Sequence, residues 1–420
     1  MPTPAGARNV NRMSGWWSLA ALAALLGCNG PNALDAWPAA LRIGSPASQN
    51  GLTGYAVNLP PAVRLVDADG NGIPGANVTF TVPGGGGSVT GGVATTGSDG
   101  VATVGGWSIG AGGNTVTASI PAPFRVDPVQ FAATGLGQSY NITLSHLTTI
   151  SPGRQDMFSS AAARWELAIF GDVTDITVSG VPAGACFGNE PPINQPIDDL
   201  LIFVTLDSID GPNGILGAAA PCFIRNLGKL PLVGVMIFDT ADVALLEGEG
   251  LFDEVILHEM GHVLGFGTIW GPVYLGLLAG GGGSDPFFAG AQGRAAFDRI
   301  GGTAYTGGLK VPVENIGGPG TADAHWRESV FGNELMTGFL NGGVANPLSI
   351  VTVASLGDEA YLVNYAAADP YAHTFSAPPA PRPGAPAAPA AATIALGDDV
   401  LRLPIYTVDR TGRVSRVFRP

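Results

Sequence analysis

Residues 256–267 read ILHEMGHVLGFG, two histidines and a glutamate set in an otherwise apolar run. The apolar spacing predicts a helix over Phe252–Leu264. His258 and His262 stand four residues apart, so both leave one helical face and reach a single metal ion from successive turns. Glu259 projects beside that ion, where a carboxylate can take a proton from metal-bound water without being a ligand. Val255, Ile256, Val263 and Leu264 cover the other side of the helix. The polar trio is therefore expected to face a cleft cut into a core.

The pattern extends beyond the helix. Gly265 follows His262 by three residues and is expected to end the helix in a sharp turn. His-Glu-x-x-His-x-x-Gly resembles the zinc-binding segment of the metzincin peptidases. Most metzincins place a third histidine three residues after that glycine, where this chain has Thr268. The leishmanolysin-like branch delays it behind a long insertion. Here 59 residues separate Gly265 from His325, which lies in AHWRE (324–328) and is followed by NELMT (333–337). Both strings are similar to that branch's third-ligand segment and Met-turn. SLGDEAYLVNYAAADPY (355–371) resembles its closing helix and tail, so the resemblance spans about 139–371.

The resemblance implies one catalytic zinc ion on His258, His262 and His325, Glu259 as general base, and Met336 beneath the metal. It implies hydrolysis of peptide bonds in a protein or peptide substrate lying antiparallel to an edge strand. By order along the chain that strand falls near Gly214–Ala220, with Ile215, Leu216, Gly217 and Ala218 along it. Relatives of this branch carry a propeptide cysteine that caps zinc. The only cysteine ahead of this region is Cys28, so no such switch is legible, and any latency must arise otherwise. His146 and His373 lack partners in sequence and read as structural.

The surrounding pattern predicts an α+β domain over 138–375. Tyr140, Ile142 and Leu144 alternate like a strand. Pro152-Gly153 opens a helix with Phe158, Ala161, Ala162, Trp165 and Ile169 on one face. Ile176–Val178, Leu200–Val204, Gly214–Phe223 and Gly234–Phe238 read as further strands, giving helices on a mostly buried mixed sheet.

Residues 36–135 look different. Short Val/Thr/Phe runs such as Asn77–Val82, Gly100–Val104 and Asn114–Ala118 alternate with glycine-rich turns, the pattern of an all-β sandwich. GNGIPGANVTFTVPGGGGSVTGG and the TTGSDGVATVGGWSIGAGGNTVTASI that follows resemble the bacterial Ig-like repeats of intimin and invasin adhesins. That likeness implies a stalk or spacer.

The N-terminus reads as an address. Arg8 and Arg12 precede the apolar run Trp16–Leu26, which ends in Leu25-Leu26-Gly27-Cys28 and resembles a bacterial lipobox. Residues 1–28 are therefore expected to be a lipoprotein-type signal with lipidation at Cys28, the alternative being a plain secretory signal. Either route exports the chain, the first to an outer-membrane or cell-surface position. In an oxidising compartment the remaining cysteines, Cys186 and Cys222, are expected to bond, two buried thiols being the alternative. The Pro/Ala-rich 376–392 reads as an extended linker. Residues 393–420 read as a hairpin-like tail too small to stand alone, with no legible docking partner.

Among 420 residues, 19 Lys+Arg against 33 Asp+Glu give a formal charge of −14. No basic cluster offsets it, which argues against a nucleic-acid partner and leaves a lipid on Cys28 as the one route to membrane attachment. Oligomeric state and cleavage preference leave no trace in the pattern. Two other functions remain open on sequence alone: a surface adhesin whose metzincin-like domain is idle, and a zinc hydrolase of non-peptide amides.

Overall fold

The computed structural model describes residues 37–375 and 393–418. The signal with Cys28 and the linker 376–392 lie outside the described residues.

In the N-terminal region, a three-stranded sheet (Ala40–Ile43, Ala62–Val66, Val101–Thr103) packs on a five-stranded one (Ser48–Leu52, Val129–Leu136, Gly112–Ser119, Asn77–Thr81, Val93–Thr95). Strand periodicity drives the packing. Along Val129–Leu136, Phe131, Ala133 and Gly135 are buried while Gln130, Ala132 and Thr134 are exposed. Val63, Leu65, Val78, Phe80, Trp107, Val116 and Phe131 fill the space between the sheets.

The second region is built on a six-stranded sheet. Its elements are β1 (Ile142–His146), β2 (Leu200–Asp207), β3 (Gly217–Arg225), β4 (Pro231–Asp239), β5 (Ile405–Val408) and β6 (Val414–Phe418), in the order β1-β2-β4-β3-β5-β6. β1, β2 and β4 run parallel, β3 is antiparallel to β4, and β5 is parallel to β3. β2 and β4 are near-continuous apolar runs because both faces of the sheet are covered. On one face Ile202, Val204, Met236 and Phe238 join a core with helices α1 (Pro152–Ala168) and α2 (Phe252–Leu264). On the other, Leu201, Phe203, Val233 and Val235 pack with the hairpin Ile176–Val181 and Ile193–Ile197. Cys186 and Cys222 form a disulfide beneath this second face, Cα atoms 5.6 Å apart.

Two features that the sequence left unread take shape in the fold. Residues 266–324 are an integral part of the core. Their short strands Leu278–Ala279, Phe287–Phe288 and Val311–Pro312 pair with one another, and Trp270 and Phe288 pack against Trp326, tilted and edge-on, at centroid distances of 5.1 and 5.6 Å. The tail has a docking site: β5 extends the main sheet through Phe223–Arg225, and Thr393–Ala395 pairs with Phe339–Asn341. The two regions meet at Asn58, whose side chain donates to the Val363 carbonyl (2.7 Å) and accepts from the Tyr365 amide (2.8 Å).

Candidate functional site

α2 carries His258, Glu259 and His262 into the interior, all with no exposed surface. Asp253 and Glu254 sit in its first turn, where carboxylates favour the helix dipole. Trp165 on α1 donates to the Leu257 carbonyl at 2.9 Å, tying the two helices together beside the histidines. At the end of α2, Gly265 adopts φ 121°, a conformation that β-carbon residues avoid, and the chain turns away. Thr268 caps this turn, its hydroxyl donating to the His262 carbonyl at 2.9 Å.

The turn after α2 and the intervening fold bring His325 back to the helix. The Nε2 atoms of His258, His262 and His325 lie 3.0–3.2 Å from one another. Each ring is fixed from behind: Nδ1 of His258 faces the Leu335 carbonyl (2.7 Å), that of His262 the Phe266 carbonyl (2.9 Å), that of His325 the Thr321 carbonyl (2.9 Å). A carbonyl can only accept, so each neutral ring carries its proton on Nδ1 and turns a bare Nε2 lone pair inward. Three buried acceptors pointing at one spot, with no donor among them, are satisfied together by a shared cation. One ion with Zn–N contacts of about 2.0–2.1 Å fits a triangle of this size.

Met336 lies under the helix. A β-carbon at Gly261 would approach Met336 Cε to 2.8 Å, so the glycine between the histidines is what lets that side chain in. The turn holding Met336 is set by Glu334, which accepts from the Met336 amide (2.7 Å), the Ser349 amide (3.0 Å) and the Thr352 hydroxyl. Glu334 is fully buried, and burial raises its pKa despite those donors. Its sequence neighbours stood out, yet nothing in the pattern marked this side chain, since two of its partners, Ser349 and Thr352, lie at the start of the distant helix Ile350–Asp358.

Neither carboxylate oxygen of Glu259 has a hydrogen-bond partner among the described residues. Burial, and then the charge of Asp399, pushes its pKa well above the usual carboxylate range. Such a group is a strong base in want of a proton donor. Burial and the neighbouring histidines hold His262 well below its ordinary value, and burial lowers His258.

The sequence reading missed Asp399. Its Oδ2 lies 3.0 Å from His325 Nε2 and 3.3 Å from His258 Nε2, and the residue is fully buried. Burial opposes its charge, but the adjoining His325, His258 and His262 outweigh this and hold the carboxyl well below its normal pKa. His258, His262, His325 and Asp399 are thus a four-residue set able to hold a metal ion. No ligand spacing announces Asp399, which stands 74 residues beyond His325.

The expected substrate edge is also altered. Gly217 and Ala218 begin β3, while Ile215 and Leu216 precede it. The outer edge of β3 was expected to be free. Instead it is paired by the tail, which runs parallel to it at Ala219–Val400 and along Phe223–Arg225. His146 and His373 stand apart from the cluster, ringed by Phe158 and by Tyr371 and Phe375.

Residues 60–131 match the family model of the bacterial Ig-like domain, group 1. The chain is also similar to the surface layer protein SbsC, domains 4–9, at 17% identity over 27% of this chain and 18% of that one. The TM-score is 0.19. No curated protein matches the chain. The Ig-like domain points to an extracellular or surface protein. Among the described residues no helix is long and apolar enough to cross a membrane.

Proposed function

We propose that this chain is an exported zinc endopeptidase of the leishmanolysin-like metzincin type, presented by its N-terminal Ig-like domain. The supporting observation is the convergence of three inward-facing Nε2 atoms beside a buried glutamate with no partner. His258, His262 and His325 would hold the ion, with Met336 beneath them. When bound, zinc supplies a Lewis acid that acidifies water and polarises a carbonyl oxygen.

The chain's own residues supply the rest. Carbonyls of Leu335, Phe266 and Thr321 keep the imidazoles in one tautomer and orientation. Glu259 takes the proton of the attacking water and returns it to the leaving amine. Its raised pKa, caused by burial, matches that task. Val255, Ile256, Val263 and Leu264 pack away from water and fix the helix. Among its described residues the Ig-like domain carries no comparable cluster, and it serves as a spacer; a lipid on Cys28 would hold that spacer at a membrane.

The test is metal content plus cleavage of casein or gelatin by purified protein, with and without a chelator. One equivalent of zinc and chelator-sensitive cleavage is the expected result. Zinc-free protein, or cleavage indifferent to the chelator, rejects the proposal. One observation favours the idle-domain reading: Asp399 fills a fourth position, as in closed structural zinc sites.

A further inference from the structure

The tail does more than extend a sheet. Leu216 N–H donates to the Leu396 carbonyl (3.4 Å), Ala219 N–H to the Asp399 carbonyl (2.8 Å), and Leu401 N–H to the Ala219 carbonyl (3.0 Å). On the opposite side Leu396 N–H donates to the Gly338 carbonyl (3.1 Å), and the Thr321 hydroxyl to the Gly397 carbonyl (2.7 Å). Residues 393–401 are therefore held on one flank by β3 and on the other by the strands and turns around His325 and Met336. Leu396 is fully buried in the same core as Leu216 and Leu340. In the middle of this span Asp399 turns its carboxylate onto the three Nε2 atoms. Its second oxygen has no partner among the described residues.

Resting on the peptidase reading, we propose that residues 393–401 are a built-in inhibitor: Asp399 is a fourth metal ligand, and its flanking backbone occupies the substrate groove. Three observations on one segment point the same way. A peptide substrate needs the edge of β3, and this segment takes its hydrogen bonds. Hydrolysis needs an open metal position, and a carboxylate stands there. The inhibitor is part of the chain, so it competes at the effective concentration of a tethered ligand, of order millimolar for short flexible tethers. Activation then consists of withdrawing Asp399 and uncovering β3. A permanently closed structural site would share the four ligands but would gain nothing from losing one.

The test uses the full chain, with Asp399→Ala and the near-isosteric Asp399→Asn, and Asp156→Ala as a control that removes the same charge from an exposed position on α1. Three quantities are read: the visible spectrum of the cobalt(II)-loaded protein, the affinity of the zinc-loaded protein for a peptide hydroxamate, and turnover of a quenched peptide. Loss of Asp399 is expected to change the cobalt spectrum. It should also raise hydroxamate affinity and turnover by about tenfold or more, because the competent fraction rises. Asp156→Ala should alter none of them. Unchanged spectra and hydroxamate affinity in both Asp399 variants overturn the inhibitor. If hydroxamate affinity rises but no variant cleaves peptide, the inhibitor stands and the peptidase reading falls. If the wild-type chain binds neither metal, both fall.

Discussion

The two regions bury different things. The sandwich core is apolar, and among its described residues only Thr96 and Asn114 are buried polar groups. Each serves the backbone: Thr96 bonds Ile73 and Ala76, and Asn114 bonds Gly110 and Gly112. The second region buries His258, Glu259, His262, His325, Glu334, Glu359 and Asp399 at zero exposure. Burying an ionisable group is unfavourable unless it is paired, hydrogen-bonded or bound to metal. Glu334 and Glu359 have such partners, in the Met336 turn and in Trp270 (2.7 Å). Glu259 has none among the described residues. A core can be read as scaffold where its polar groups serve the backbone, and as chemistry where they are left facing one another.

The sharpest way to break that distinction is to remove the unpartnered base. Glu259→Gln is expected to keep zinc and to lower peptide turnover by about 10²–10⁴, the range for a general base. The comparison needs an active background, so it is best made against chain in which the tail has been shown to release. Metal analysis and turnover on one preparation decide it. Near-normal turnover would return Glu259 to the role of a buried side chain.

The next effect separates the regions by metal affinity. His325→Ala is expected to weaken zinc binding by more than about 100-fold, since even outer-shell changes shift affinity by about 10–100-fold. Trp107→Ala, in the middle of the sandwich core, should cost about 3–5 kcal/mol of that region's stability and leave zinc affinity unchanged. Competition against a chelator reads the first, and calorimetry the second. If Trp107→Ala also weakened zinc binding, scaffold and site would not be separable.

These contrasts track what the sequence revealed. α2 was legible to the residue, Phe252–Leu264, because helical spacing and Gly265 mark both its register and its end. His325 was legible through its flanking strings, and the sandwich through short Val/Thr/Phe runs between glycine-rich turns. The region 266–324 was not: its strands are two residues long and its order comes from Trp270 and Phe288 packing on Trp326. Asp399 was hidden for a further reason. It is a ligand delivered by a long return of the chain, in a tail whose local pattern says only hairpin. The open edge expected at Gly214–Ala220 failed for the same cause, since an edge is free only if no later segment covers it.

The disulfide sharpens the comparison on a smaller scale. It lies under the sheet's second face, away from the helices, and Cys222 belongs to β3. With the cysteines 36 positions apart in sequence, loop closure contributes roughly 3–4 kcal/mol on the chain-entropy model. Cys222→Ser is expected to lower the melting temperature, with zinc still bound. Two alkylatable thiols in unreduced, exported protein would remove the bond from the account.

The smallest expected effect lies at the joint between the regions. Asn58 is half-buried in the sandwich region, and its amide both donates to Val363 and accepts from Tyr365. Val363 bridges Ile169 at the end of α1, and Leu362 accepts from the Phe170 amide, so this joint touches the frame that holds α2. An amide making two bonds to backbone can fix the angle between the regions although each bond contributes only about 0.5–1.5 kcal/mol. Asn58→Ala should therefore cost about 1–3 kcal/mol, part of it from the Val363 and Tyr365 groups left without this partner. The informative reading is cooperativity: a wild-type chain that melts in one calorimetric transition should separate into two in Asn58→Ala, with zinc raising only the transition of the second region. If the variant still melts as one unit, and zinc still raises all of it, Asn58 is not the tie. The apolar sandwich would then have to be counted as part of the frame that supports the buried charges.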